Sequence, residues 1–232
     1  MFYYDWTYIL VLIGAVITMI ASSNVKSTYS KYAKQRSMTN MTGAQVAERL
    51  LRSAGLNDVK VGQVRGELSD HYNPATKVVN LSDSVYGSTS VAAIGVAAHE
   101  CGHAIQHAKG YFPLKFRTWF VPVANFGSKL AWPLILIGLF INSESSWFII
   151  EAGIVLFSFA VIFQLVTLPV EFNASSRALA LLEEQGILSQ QELPSTKKVL
   201  GAAALTYVAS AAASILQLLR IILLVGGRRR RD

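Results

Sequence analysis

Three of the four histidines of this chain fall within thirteen consecutive residues, VAAHECGHAIQHA at 96–108. His99 and His103 are four residues apart, so on an α-helix their imidazoles share one face and can bind one metal ion. Glu100 is turned about 100° around that helix from His99, where its carboxylate reaches a metal-bound water rather than the metal. This order of residues predicts a zinc hydrolase in which the glutamate is the general base.

A catalytic zinc ion needs a third protein ligand and an open fourth position. His107 continues the four-residue spacing but lies about 12 Å along the helix axis from His99, and no glycine turn separates it from His103. We therefore expect His107 to face substrate or to have a supporting or structural role. Among the downstream carboxylates Glu171 stands out, because we expect it to begin a separate helix after Pro169, just as the chain leaves an apolar segment.

The composition predicts an integral membrane protein. Of the 232 residues, 52% are hydrophobic and only 15% are charged, whereas about a quarter of an ordinary soluble domain is charged. Apolar runs and polar stretches together predict five regions. They are an N-terminal transmembrane anchor (1–22), a segment with the strands and the zinc helix (23–118), a transmembrane helical hairpin (119–169), a region that completes the site (170–198) and an apolar C-terminal segment with an arginine-rich tail (199–232).

Local patterns predict the elements of the polar part. Residues 42–56 have apolar residues at helical spacing, and residues 59–86 alternate and carry a turn at Asn73-Pro74, which indicates short strands. Residues 88–108 are helical and contain the histidines. The expected fold class is mostly α with a small β element, in which a zinc metallopeptidase domain is attached to membrane helices.

The distribution of Lys and Arg predicts the orientation in the membrane. Residues 23–118 hold twelve Lys and Arg, whereas the predicted turn at 142–146 holds none. We expect 23–118 and 170–198 on the cytoplasmic side and the turn outside. If the segment 199–225 also crossed, the RRRR tail would lie outside. This would go against the rule that Lys and Arg near membrane helices stay on the cytoplasmic side. The small residues in the first half of the segment and the charge of Arg220 favour a segment that does not cross, and the sequence leaves crossing open.

Three stretches, AAHECGHAIQHA, DHYNP and PVEFNASSRAL, together resemble the bacterial YugP-type membrane zinc metallopeptidases. These are distant relatives of the membrane gluzincins that include the heat-shock protease HtpX and the CAAX prenyl protease. The likeness covers nearly the whole chain. It implies one zinc ion per chain, bound by His99, His103 and Glu171, with Glu100 as the general base.

The resemblance also implies an edge strand before the zinc helix that binds extended substrate by strand addition. In SDHYNP, His71 or Tyr72 would then face the cleft and help to stabilise the oxyanion. The chain departs from the broader relatives in one motif, E-F-x-A-D, whose aspartate supports a ligand histidine. Ser175 occupies that position here, so we expect the support to come from elsewhere, such as Asn173 or a backbone carbonyl.

These observations predict a membrane zinc metallopeptidase, an endopeptidase, that cleaves membrane-associated or misfolded proteins and peptides at the cytoplasmic face of a bacterial cell membrane. Its expected partners are membrane lipids and a protein or peptide substrate. Nucleic acid is excluded because the basic residues flank the apolar segments and no nucleic-acid-binding fold is indicated.

Two other functions compete with this prediction. One is a non-catalytic membrane scaffold or regulatory subunit with structural zinc, which would have no use for the base Glu100. The other is a metal-handling transporter, which Lys129, Glu151 and Arg220 within the apolar segments suggest. The sequence gives these three charges no evident clustering.

Overall fold

The structure is a computed structural model that describes residues 5–141 and 146–229. Most of the predicted turn at 142–146 and the end of the arginine-rich tail lie outside these residues. Within them the elements follow in the order α1 (Tyr8–Ala33), α2 (Gly43–Ser53), β1 (Lys60–Val64), β2 (His71–Asn73), β3 (Val78–Ser82), α3 (Asp83–Tyr86), α4 (Val91–Ala108), α5 (Phe112–Ile141), α6 (Ser146–Glu184) and α7 (Leu193–Arg229). The predicted fold class, mostly α with a small β element, is confirmed.

Four helices, α1, α5, α6 and α7, are long and apolar enough to cross a membrane. Their apolar parts form one compact unit, the helical unit, which comprises the described parts of residues 1–21, 116–168 and 206–232. Large apolar side chains stay exposed along it; Met19 is 69%, Phe126 63% and Phe148 78% exposed. Soluble proteins rarely leave so much apolar surface in water, so these exposed side chains are typical of a membrane protein.

The prolines of the apolar helices do not interrupt them. α5 contains Pro122 and Pro133, and α6 contains Pro169. The sequence predicts a separate helix that begins after Pro169, and this prediction is wrong, since α6 continues without a break and carries Glu171 in its interior. A proline removes one backbone hydrogen bond, a loss that apolar helices tolerate when neighbouring elements pack around them.

The C-terminal apolar segment lies antiparallel to α1 within the helical unit. A Cβ at Gly14 would lie 3.2 Å from Ala213, and Arg220 Nη2 lies 3.3 Å from Asp5 Oδ2. Arg220 is therefore paired, so its charge does not argue against a membrane position. The expectation that residues 199–225 stay out of the membrane therefore loses the support of Arg220, and α7 is long and apolar enough to cross.

The second compact unit, the sheet unit, comprises residues 22–115 and 169–205. Its helix α2 begins with a capping box, in which Thr42 Oγ1 accepts a hydrogen bond from the backbone N–H of Gln45, and the Gln45 side chain accepts one from the N–H of Thr42. The apolar face of α2 packs against α4 in the core. Its buried residues are Ala44, Val46, Ala47, Leu50 and Leu51.

Three strands form the sheet in the order β1-β3-β2, with β1 parallel and β2 antiparallel to β3. The predicted turn after β2 is present, and Asn73 Oδ1 accepts hydrogen bonds from the backbone N–H groups of Ala75 and Thr76. β2 packs against α4 and is an edge strand, because no strand among the described residues pairs with its other side. The strand system expected in 59–86 is thus confirmed.

Helix α4 forms where the sequence predicts it. Its N-cap residue Ser90 accepts a hydrogen bond from the backbone N–H of Ala93. Gly102, near its middle, permits a close approach of α6, since a Cβ at this position would lie 2.6 Å from the carbonyl oxygen of Ala174. The two helix backbones therefore meet where one of them lacks a side chain.

We predict that Gly102→Ala lowers the free energy of unfolding by about 1–3 kcal/mol and weakens zinc binding. The added methyl group meets backbone, which can relieve the overlap only if α4 and α6 move apart. Denaturant unfolding in detergent and zinc titration measure both effects. Gly201→Ala on α7 is the control, because its Cβ would meet nothing within 4 Å, and it should keep or raise stability. Equal behaviour of both variants would contradict the close contact.

Candidate metal centre

Two helices of the sheet unit bring His99, His103 and Glu171 together. Both histidines lie on α4 and Glu171 lies on α6, and one ligand atom from each residue falls within 4.8 Å of the others. Glu171 Oε2 lies 3.3 Å from His99 Nε2 and 3.6 Å from His103 Nε2. The side chain of Glu171 is 4% exposed and the histidine side chains are 15% and 13% exposed. The three predicted ligands therefore converge at a largely buried site.

The Nδ1 atom of each imidazole, which points away from Glu171, has its own hydrogen-bond partner. His99 Nδ1 lies 3.1 Å from Ser175 Oγ, and His103 Nδ1 lies 3.0 Å from Gln106 Oε1. An amide oxygen only accepts, so His103 Nδ1 carries the hydrogen and donates it, and Nε2 is left with its lone pair. The same tautomer suits His99, because Ser175 Oγ can accept.

This arrangement fits a zinc ion. With hydrogen on both Nδ1 atoms, the two Nε2 atoms present lone pairs 3.1 Å apart and both face a carboxylate oxygen of Glu171. Such a group of acceptors is satisfied by a cation, and two imidazoles with one carboxylate are a ligand set of catalytic zinc. The negative charge around His103 also favours a cation at this site. Burial alone would lower the pKa of His103, but its hydrogen bond to Glu171 and the charges of Glu100 and Glu171 raise that pKa overall.

Ser175 corrects an expectation from the sequence. The serine replaces the aspartate of the broader relatives, so the sequence predicts that support for the histidine comes from elsewhere. In the structure Ser175 itself contacts His99, because a hydroxyl is an adequate acceptor for an imidazole N–H. Asn173 supports His103 indirectly, through Gln106. Its Oδ1 accepts a hydrogen bond from Gln106 Nε2 at 3.0 Å.

Gln106 is the residue that sequence reasoning missed. It is fully buried, and while its Oε1 accepts from His103, its Nε2 donates to the carbonyl oxygen of Val170 at 2.8 Å. This side chain thus connects α4 to the residue before Glu171 on α6. A polar residue three positions after His103, on the face of α4 that carries both histidines, was the available signal. Arg177 joins the same network, because its Nε donates to Asn173 Oδ1 at 2.7 Å.

The other two residues of the central motif differ in their surroundings. Glu100 is 7% exposed and close enough for its charge to act on His103. Cys101 faces the core, where its Sγ lies 3.6 Å from the carbonyl oxygen of Ala47, and burial raises the pKa of its thiol. Cys101 is therefore an inert core residue, as its position on the helix predicts.

The edge strand β2 meets α4 through one residue pair. Tyr72 Oη lies 3.0 Å from His107 Nδ1, and burial raises the pKa of Tyr72. Successive residues of a strand point to opposite faces, so His71 points away from this contact. Its ring lies beside Asn80, 3.2 Å from the amide nitrogen, and beside the carbonyl of Ser69. The structure therefore brings Tyr72 and His107 together near the ligands, and it does not bring His71 to them.

Comparisons with known proteins agree with this geometry. A family model described as "Putative neutral zinc metallopeptidase" matches residues 7–226. The chain belongs to this family. The chain is also 49% identical over 191 residues to the "Putative membrane protease YugP" of Bacillus subtilis (strain 168), an alignment that covers 82% of this chain and 84% of that protein. No solved structure matches the chain. The resemblance stated from the motifs is confirmed, and the chain is a membrane member of a zinc metallopeptidase family.

For this metallopeptidase we predict that Ser175→Ala weakens zinc binding about 10- to 100-fold, because the N–H of His99 loses its acceptor. Ser176→Ala is the matched control, since Ser176 is the next residue of α6 and is exposed, and its zinc affinity should stay unchanged. Competition with a chromogenic chelator measures both affinities. Unchanged affinity in Ser175→Ala would show that the hydroxyl does not support the ligand.

Proposed function

We propose that this protein is a membrane-bound zinc endopeptidase that cleaves membrane-associated or misfolded proteins and peptides at the cytoplasmic face. The observation that carries the proposal is the convergence of His99, His103 and Glu171 beside the buried Glu100. Among the described residues this is the one such group of metal-ligand side chains, which supports one zinc ion per chain. When bound, zinc would acidify a water molecule and polarise the peptide carbonyl.

Glu100 is the general base in this proposal. It follows a ligand histidine directly on α4, so its carboxylate reaches past the ligands to the attacking water rather than to the ion. The carboxylate takes a proton from that water and delivers it to the leaving amine. A structural zinc site would have no use for a buried carboxylate at this position, which favours hydrolysis over the scaffold alternative.

Tyr72 contacts the substrate in this proposal, and His107 orients it. His107 follows His103 by one helical turn, so the tyrosine hydroxyl lies on the face of α4 that carries the ligands. If His107 Nδ1–H donates to the tyrosine oxygen, the phenolic hydrogen is left to donate to the oxygen that becomes negative during attack.

The exposed edge of β2 supports the endopeptidase assignment. An edge strand presents backbone N–H and C=O groups that can pair with an extended peptide, whatever the side chains of that peptide are. Tyr72 belongs to this strand and contacts the ligand-bearing helix through His107. A peptide added to β2 would therefore run beside the metal ligands, a gluzincin-like arrangement that suits cleavage within a chain.

The cytoplasmic orientation rests on charge. Residues 23–118 hold twelve Lys and Arg, and such residues are retained on the cytoplasmic side. Because α7 packs antiparallel to α1 within the helical unit, we propose that both helices cross the membrane. The pairing of Arg220 with Asp5 accounts for this membrane charge without an ion path, so the metal-handling alternative is not favoured.

The test of this function compares wild type with Glu100→Gln in lipid nanodiscs. We expect both to hold about one zinc ion per chain, and we expect the variant to cleave a labelled pool of unfolded proteins about 10²- to 10⁴-fold more slowly, because it lacks a proton acceptor. Glu184→Gln, the same change at an exposed position of α6, should cleave like wild type. Full activity in Glu100→Gln would disprove the role of the base. Zinc without cleavage in wild type would favour the scaffold.

A second prediction concerns Tyr72. The substitution Tyr72→Phe should lower kcat by about 10²- to 10³-fold with little change in KM, because it removes one donor to the developing negative charge. His107→Ala should act in the same direction, and the double variant should be no worse than Tyr72→Phe, since the two residues act as a unit. His71→Ala should retain wild-type kcat. A loss of activity in His71→Ala with none in Tyr72→Phe would show that His71, and not Tyr72, stabilises the oxyanion.

A further inference from the structure

A cavity of the sheet unit lies between α1 and α7. Its volume is about 420 Å³, within the range of small-ligand sites. Two exposed lysines, Lys31 on α1 and Lys198 on α7, line it together with Asn24 and Thr28. Among the described residues that line the cavity none is acidic. The cavity is therefore cationic and offers hydrogen-bonding groups, which suits an anion.

The cavity has a polar end and an apolar end. α1 and α7 are antiparallel here, so Lys31 and Lys198 stand at one end, and Asn24 and Leu205 stand at the other. Seven residues separate the two ends on each helix, about 10 Å at 1.5 Å per residue. Leu205 is 52% exposed, so the end opposite the lysines presents apolar surface.

The cavity lies where both helices change from polar to apolar sequence. On α1 the apolar run ends at Ser22, two residues before Asn24, and on α7 the apolar sequence begins directly after Lys198. The headgroup layer of a bilayer is on the order of 5–8 Å thick on each side. Lysine side chains are long enough to reach back into that layer from the polar end.

From this placement we infer that the cavity binds the headgroup of an anionic glycerophospholipid. Lys31 and Lys198 contact the phosphate, Asn24 and Thr28 contact the polar headgroup atoms, and an acyl chain leaves along Leu205 toward the membrane. A free phosphate ion would use the lysines alone and leave the apolar end without a function. The inference is independent of peptide hydrolysis, so it stands or fails separately from the proposed function.

The cavity is also connected to the helix that carries the metal ligands. Tyr32 lines the cavity and is buried against Ala92, in the first turn of α4, and against Val199 on α7. A lipid bound between α1 and α7 would therefore hold together the three helices that meet at this tyrosine. We expect bound lipid to raise the melting temperature of the zinc-loaded protein.

The experiment measures binding of short-chain phosphatidylglycerol to the zinc-loaded full chain in a neutral detergent, by native mass spectrometry and by the shift in melting temperature. Phosphatidylcholine of the same chain length and inorganic phosphate are the comparison ligands. The charge variant is Lys31→Gln with Lys198→Gln. Its matched control is Lys26→Gln with Lys197→Gln, which removes the same charge from the same two helices outside the cavity.

A second variant, Gly201→Trp, tests the cavity without any change of charge. Gly201 lines the cavity, and a Cβ there would meet nothing within 4 Å, so the indole fills the space and leaves both lysines in place. Zinc content and circular dichroism establish that each variant is folded before its binding is compared.

We expect one phosphatidylglycerol per chain, at least about tenfold weaker binding in the charge variant and in Gly201→Trp, and less than about twofold change in the control pair. Equal losses in both lysine pairs would show diffuse attraction and overturn the inference. Binding of inorganic phosphate as tight as that of phosphatidylglycerol would also overturn it, in favour of a soluble anion. Unchanged binding in Gly201→Trp would place the lipid outside this cavity.

Discussion

The metal centre depends on the contact between α4 and α6. At Gly102 the absence of a side chain lets the backbone of α6 approach to a distance that any Cβ would prevent. This contact fixes the separation of the two helices, and the separation determines whether the carboxylate of Glu171 can reach both imidazoles. The driving force is apolar burial along the rest of α4, and the glycine decides how closely that burial can bring the helices.

Around this contact, hydrogen bonds determine the chemical state of the ligands. Gln106 and Ser175 hold the hydrogens of the two imidazoles on their outer nitrogens, so the inner nitrogens are acceptors that face Glu171. Gathering three acceptors in a buried space costs free energy unless a cation binds them. A zinc ion bound by these three side chains would remove that cost.

Three of the four apolar helices contribute different parts of their length to the two units. Each has an apolar part in the helical unit, and α1, α6 and α7 continue into the sheet unit, where they supply Tyr32, Glu171 and Lys198. Charged groups on the apolar parts are tolerated where they pair, as Arg220 does with Asp5.

The sequence by itself predicted the histidine pair and its helix, because the spacing of His99 and His103 is a property of one element. It also determined the strands and the capped helix over 42–56, which depend on local turn and cap chemistry. Only the tertiary structure decided that Ser175 and Gln106 support the histidines and that Tyr72, not His71, meets the zinc helix. It likewise decided that α6 continues through Pro169 and that Arg220 is paired. The contacts of Ser175, Tyr72 and Arg220 depend on which elements meet in space, and no local pattern encodes contacts between residues that are 35 to 215 positions apart.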